Sequence, residues 1–182
     1  MRVMLNPAAV RAFLVPGALA GMNDEARGIT LALVETGCFP KEICDVTPED
    51  LSLDDGCSFI YIRNELFAPR RRRIPLVGVA HAVFTRNPAG FPRYRGNTRS
   101  YCAHASRCLR ENGLLSRGQS IVGLRGAMHE RLLMNKVGGP VREAILGYRH
   151  EGGWDELALE VPLCERREAL RAIAYDFDPS IV

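Results

Sequence analysis

The sequence is almost without lysine: of its 24 cationic residues only Lys41 and Lys136 are lysine, and the remaining 22 are arginine. Any role that requires an ammonium group therefore falls to two positions. Arginine presents a planar fork of donors that suits phosphate, although an arginine excess also follows from genome composition. The six cysteines (Cys38, Cys44, Cys57, Cys102, Cys108, Cys164) contain no CxxC pair, which excludes the common zinc ribbons and thioredoxin-like motifs and fits reduced, buried thiols. Cys102, His104 and Cys108 carry the right ligand types for zinc, but their spacing matches no standard finger; helix packing accounts for them better, and no metal is expected. The apolar stretch from Ala12 to Ala20 is broken by Pro16 and Gly17 and falls well short of the roughly 20 residues of a membrane span. Arg2 and Arg11 lend it a faint signal-peptide look that a nucleic-acid reading of the rest argues against. With 47% apolar and 25% charged residues the chain is not disordered. The expectation is a cytoplasmic protein without a membrane segment.

Its 182 residues suffice for one well-buried core and not for two comfortable domains. Residues 1–22 read as an N-terminal arm or linker and 23–182 as a single domain. Asn23, followed by Asp24 and Glu25 and an apolar stripe through Ile29, Leu31, Leu33 and Val34, predicts a capped amphipathic helix with Gly37 as its stop. A short helix follows Pro40, and Thr47 to Asp50 form a capping turn. Ser58 to Arg63 (SFIYIR) is aromatic and β-branched, and Arg72 to Val77 (RRIPLV) reads as its partner across a loop, which predicts a β-hairpin or small sheet. Helices are expected near Val77 to Thr85, Thr98 to Asn112, Ser120 to Val137, Val141 to Tyr148 and Cys164 to Tyr175, with Asn87 to Asn97 as a loop rich in Pro and Gly. This order gives an α+β, mostly helical fold, with helices around a small antiparallel sheet.

Three segments carry a resemblance. Leu31 to Gly56 ends a helix at Thr36 and Gly37 and continues through Glu42 to an acidic turn at Asp50; the hairpin that follows leads into Ile74, Pro75 and Leu76; and Ser120 to His150 contains Gly123, Leu124, Arg125, Arg131, Leu132, Leu133, Leu146 and Gly147. In this order and at these separations they resemble the catalytic domain of tyrosine recombinases, the phage integrase family, over about residues 23–175. The resemblance implies that fold, double-stranded DNA as partner, and no metal or other cofactor. It implies nucleophilic attack of a tyrosine on a DNA phosphodiester, with two arginines stabilising the developing charge and a lysine and histidines moving protons.

The departures bear on the chemistry. The first arginine position holds Phe39, the hairpin has no lysine, and the histidines expected around the second arginine box are Val122, Gly126 and Tyr148. Arg125 falls on the second catalytic arginine, a vestigial phosphate-binding position or a structural one paired with an acid such as Glu42. His150, two residues beyond Tyr148, is a displaced substitute or an inert helix-end histidine. The nucleophile is expected near Leu157 or Ala158, and there is no tyrosine between Arg149 and Ala174. Trp154, near the same place, reads as packing more readily than as a substitute ligand.

The resemblance with these losses implies a DNA-binding pseudoenzyme related to site-specific recombination and integration. Candidate DNA contacts are Arg63, Arg70, Arg71, Arg72, Arg73, Arg93, Arg95 and Arg99. Because alternate strand residues point to opposite faces, the run Arg70 to Arg73 cannot turn all four side chains to one partner; a solvated edge that discourages strand aggregation is its other reading. Two alternatives stand beside the main one: an active recombinase with displaced residues such as Tyr148 or Tyr175, and a protein-interaction module on the same fold. Leu170, Ile173 and Phe177 give the C-terminal helix an apolar face through which copies of the chain would associate.

Overall fold

The computed structural model describes residues 5–54, 56–63, 71–147 and 161–182. Among them the chain runs through helices α1 (Pro7–Val10), α2 (Asp24–Thr36) and α3 (Pro40–Cys44), then strands β1 (Leu51–Ser52), β2 (Phe59–Ile62) and β3 (Arg72–Pro75). Helices α4 (Gly78–Arg86), α5 (Thr98–Glu111), α6 (Gly123–Met134), α7 (Gly139–Leu146) and α8 (Leu163–Ile173) follow. The three strands form an antiparallel sheet in the order β1, β2, β3. Its register sets Ile60 opposite Ile74 and Ile62 opposite Arg72, so one face of the pleat is buried and carries three isoleucines and one arginine.

Helix α2 is the axis of the fold. Asn23 caps it, its side chain accepting the Ala26 amide at 3.0 Å, and Gly37 ends it in the left-handed conformation at φ 63°. From Gly28 to Thr36 every residue is buried, because α4, α6, α5 and α3 pack around it. Thr30 is satisfied inside by Ala26 O at 2.8 Å and the Tyr101 hydroxyl at 2.9 Å. The absence of a side chain at Gly28 admits the Phe91 ring, whose Cε1 lies 2.9 Å from where a Cβ would stand.

Two expectations are revised by packing. Residues 5–22 do not stand away from the domain: Leu5, Val10, Phe13, Leu14, Leu19 and Met22 are all buried, and α1 lies on α6. Pro7 and the apolar spacing around it turn the segment into short helical pieces that cover the core, a placement with no distinctive signal in sequence. On α8, Leu170 and Ile173 are buried within the chain against elements that include β3, α6 and α7. The face read as a surface for a second copy is thus largely occupied in cis.

Candidate functional site

The site is built where three chain turns meet: the stop of α2 at Gly37, the start of α6, and the stop of α7 at Gly147, which is left-handed at φ 64°. Helix C-termini expose carbonyls that lack intrahelical donors and carry the negative end of the helix dipole. Arg125, in the first turn of α6, is drawn to two of them. Its Nη1 donates to Gly37 O at 2.7 Å and its Nη2 to Leu146 O, while its guanidinium lies 4.4 Å from the centre of the Phe39 ring. Only 4% of Arg125 is exposed.

Arg72 occupies the neighbouring position from the opposite side. As the first residue of β3 it points inward, and its fork meets the Glu42 carboxylate in two bonds, both 2.9 Å. Its Nε donates to Ile145 O at 2.9 Å. Glu42 in turn accepts the Phe39 amide at 2.8 Å, locking the first turn of α3. Burial pushes the Glu42 carboxyl up, but the hydrogen bonds and charge of Arg72 more than offset this, and the net direction is down. Cys38, beside them, is pushed up to about 12, chiefly by burial. Gly147 makes room for this arrangement, since a Cβ there would stand 3.0 Å from Arg72 Nη1.

Glu42, the acid named as a partner in one of the two readings of Arg125, is bonded to Arg72. Arg72, expected at DNA, lies in a buried ion pair because the pleat turns it inward between the more exposed Arg71 and Arg73. Arg63, Arg71, Arg73, Arg93, Arg95 and Arg99 are at the surface. Arg63, at the end of β2, pairs with Asp50, and Arg73 lies over the Phe59 ring at 5.3 Å. Arg95 donates to Val46 O at 3.1 Å and Ala89 O at 2.6 Å. Arg93 and Arg99 are exposed, the backbone amide of Arg93 donating to Glu25 at 2.9 Å. The hydrogen bond of Thr47 holds the Glu49 carboxyl below its usual range, and the charges of Arg63 and Arg95 both add to this. The hairpin end and the 87–97 loop therefore converge on the Thr47 to Asp50 turn. Arg70, Tyr148, His150 and Trp154 lie outside the described residues. Among the described residues Cys102, His104 and Cys108 do not form a metal-binding group; His104 Nδ1 stands 4.0 Å from Cys108 Sγ and 3.3 Å from Arg107.

A second buried ion pair was not anticipated. Glu35, on α2, faces Arg131 of α6 at 3.4 Å and accepts the Tyr175 amide at 3.1 Å. Arg131 also donates to Val34 O at 2.9 Å and to Ile173 O, and it stacks on the Tyr175 ring at 3.8 Å. Burial outweighs these partners and pushes the Glu35 carboxyl up to about 7. Tyr175 donates its hydroxyl to Pro7 O at 2.8 Å, so the displaced nucleophile considered above is a strut between the two ends of the described chain. An acid one residue before a Thr-Gly helix stop was the only hint in sequence.

No family model and no curated protein matches the sequence. Solved structures do match. The integrase of mycobacterium phage Brujita aligns with 100% of this chain at 14% identity and a TM-score of 0.72. The XerH site-specific recombinase, in a post-cleavage complex with a palindromic difH substrate, aligns with 94% of it at 16% identity and a TM-score of 0.62. A lambda integrase dimer bound to a COC' core site aligns with 98% at 15% identity and a TM-score of 0.60. The chain covers 62%, 50% and 63% of these three proteins, respectively. The chain has the fold of the tyrosine recombinase catalytic domain, with helices around a small antiparallel sheet.

Proposed function

We propose that this protein binds duplex DNA through its exposed arginines in a role related to recombination or integration, and does not cut the strand. The observation that carries the reading is the engagement of Arg125. At the position where the resemblance places a catalytic arginine, the guanidinium is buried, bonded to the carbonyls of Gly37 and Leu146, and stacked on Phe39. Its fork is turned to backbone carbonyls, and little of the side chain is exposed to meet a phosphate. Strand cleavage further needs a nucleophile, and the segment from residue 150 to 173 has no tyrosine to supply one.

DNA binding is supported by the DNA held in the XerH and lambda integrase structures and by the surface placement of Arg71, Arg73, Arg93 and Arg99. Such phosphate contacts carry little sequence information and weaken steeply with salt. The test uses a fluorescent random-sequence duplex at low and moderate salt, together with a nicked suicide duplex that traps covalent intermediates. Salt-sensitive binding without a covalent adduct is expected. An adduct would show an active recombinase, and absence of binding at low salt would leave the interaction module as the better reading.

A further inference from the structure

A cleft of about 560 Å³ lies between the turn after β1, the start of α4 and the side of α8. It is separate from the Arg125 and Arg72 cluster, none of whose residues line it. Its floor is apolar, formed by Leu53, Leu76 and Ala174, while His81, Arg167 and Arg171 bring basic groups to its wall. Such a volume falls within the range of small-molecule sites, about 300–1,000 Å³.

The charge of this wall is unbalanced. Arg167 and Arg171 stand one turn apart on α8, a spacing at which like charges repel, and neither forms an ion pair among the described residues. Arg167 is fixed by donating its Nη1 to Gly56 O, yet its Nε is buried with no acceptor among the described residues. Gly78, also in the wall, opens the nine-residue helix α4, which has no side-chain cap; its first amides lack intrahelical acceptors. Among the described residues, Asp54 and Glu35 stand nearby. Asp54 lines the cleft and accepts from Ser52 at 3.1 Å. Glu35 lies behind Gly78, its Cδ 3.7 Å from the Cβ position there, and is engaged with Arg131.

We infer that the cleft binds a phosphomonoester of about mononucleotide size. Its phosphate sits against Arg167, Arg171 and the first amides of α4, and its organic part covers the apolar floor. A phosphate answers the wall better than a single carboxylate does, because its oxygens can serve two forks and a helix terminus together.

The inference stands apart from DNA binding and is tested without DNA, by following backbone amides in NMR titrations with adenosine 5'-monophosphate, inorganic phosphate and adenosine. The two phosphate-bearing probes are expected to shift Gly78, Val79 and His81, and adenosine is not. Arg171→Ala, at an exposed position that leaves the spectrum otherwise intact, should weaken adenosine 5'-monophosphate about tenfold, whereas Arg117→Ala should bind as the parent does. No shift at millimolar probe, undiminished binding by Arg171→Ala, or equal shifts from adenosine alone would each overturn the inference.

Discussion

At Arg125 one side chain holds two chain turns, and the consequence of its loss follows from what it leaves behind. Arg125→Ala strands the carbonyls of Gly37 and Leu146 in the interior and empties the space over Phe39. Unsatisfied buried acceptors cost roughly 1–3 kcal/mol each, so urea unfolding should show a loss of about 3 kcal/mol. Arg125→Lys keeps the charge but replaces the planar fork, with its two separate nitrogens, by a single ammonium, and it too should be destabilised. Folded Arg125→Lys should nevertheless bind duplex DNA at low salt as the parent does; a large drop in affinity would show that this arginine contacts phosphate.

The glutamates of the two ion pairs, Glu42 and Glu35, have their pKa values shifted in opposite directions. Glu42, held below its usual range by Arg72 against the effect of burial, contributes stability at neutral pH that is lost on acidification. Glu35 is raised from 4.5 to about 7 by burial. Its folded value lies above its unfolded one, so folding takes up a proton between those limits and stability falls as pH rises through them. The contribution over that window is on the order of 3 kcal/mol. Glu35→Gln mimics the protonated form and should flatten the stability profile between about pH 4.5 and 7. An unchanged slope would show that Glu35 ionises normally in the folded protein.

Among the elements, the helix stops carry the site. Gly37 is left-handed, and a Cβ there would stand 2.7 Å from Leu146 Cδ2 and 2.8 Å from Met128 Cγ. Gly37→Ala combines the left-handed penalty with overpacking and should cost about 2–4 kcal/mol. Gly96, equally left-handed at φ 69° but with nothing within 4 Å, isolates the backbone part, and Gly96→Ala should cost about 1–2 kcal/mol. Equal losses for the two would mean that the α2 stop is not packed against α6 and α7 as described. The stop at Gly37 was legible in the sequence because a glycine closing an apolar helical stripe has few other uses; the stop at Gly147 was not, since the helix expected there ran on to Tyr148. The hairpin was legible too, from its aromatic and β-branched residues. Which arginine of the run turns inward was not legible. Alternation says that neighbours diverge, and only the pairing of Ile62 with Arg72 and of Ile60 with Ile74 decides the sense. Nor were the partners of Arg125 and Arg131, because backbone carbonyls leave no residue signature. The basic cleft escaped for a related reason: His81, Arg167 and Arg171 meet only after α4 and α8 have packed.

For the molecule as a whole, the N-terminal segment decides what counts as the domain. A chain starting at Asn23 would lose Leu5, Val10, Phe13, Leu14, Leu19 and Met22 from the core. Burial of such side chains is worth roughly 1.5–3 kcal/mol each, a sum comparable with the entire stability of a typical domain, about 5–15 kcal/mol. It would also lose the acceptor of the Tyr175 hydroxyl at Pro7 O and those of Asn112 at Ala18 O and Ala20 O. Truncation to residues 23–182 should therefore abolish the cooperative thermal transition seen for the full chain. A truncated protein that melts as the parent does would restore residues 1–22 to the role of an arm.

The same scale governs the proposed grip on DNA. A formal net charge of +3 is too small for long-range attraction alone to hold a duplex, so affinity must come from local contacts, each releasing counterions from a phosphate. The logarithm of the binding constant then falls with the logarithm of salt concentration by about 0.9 per phosphate contacted. Arg93 and Arg99 are exposed and belong to neither buried ion pair, so their replacement leaves the core intact. The Arg93→Ala, Arg99→Ala double variant should keep the parent's thermal transition and reduce the slope by about 2 if both meet phosphate. A slope that does not change in a folded variant would place the duplex elsewhere, and the strand-end arginines Arg71 and Arg73 would be the next pair to replace.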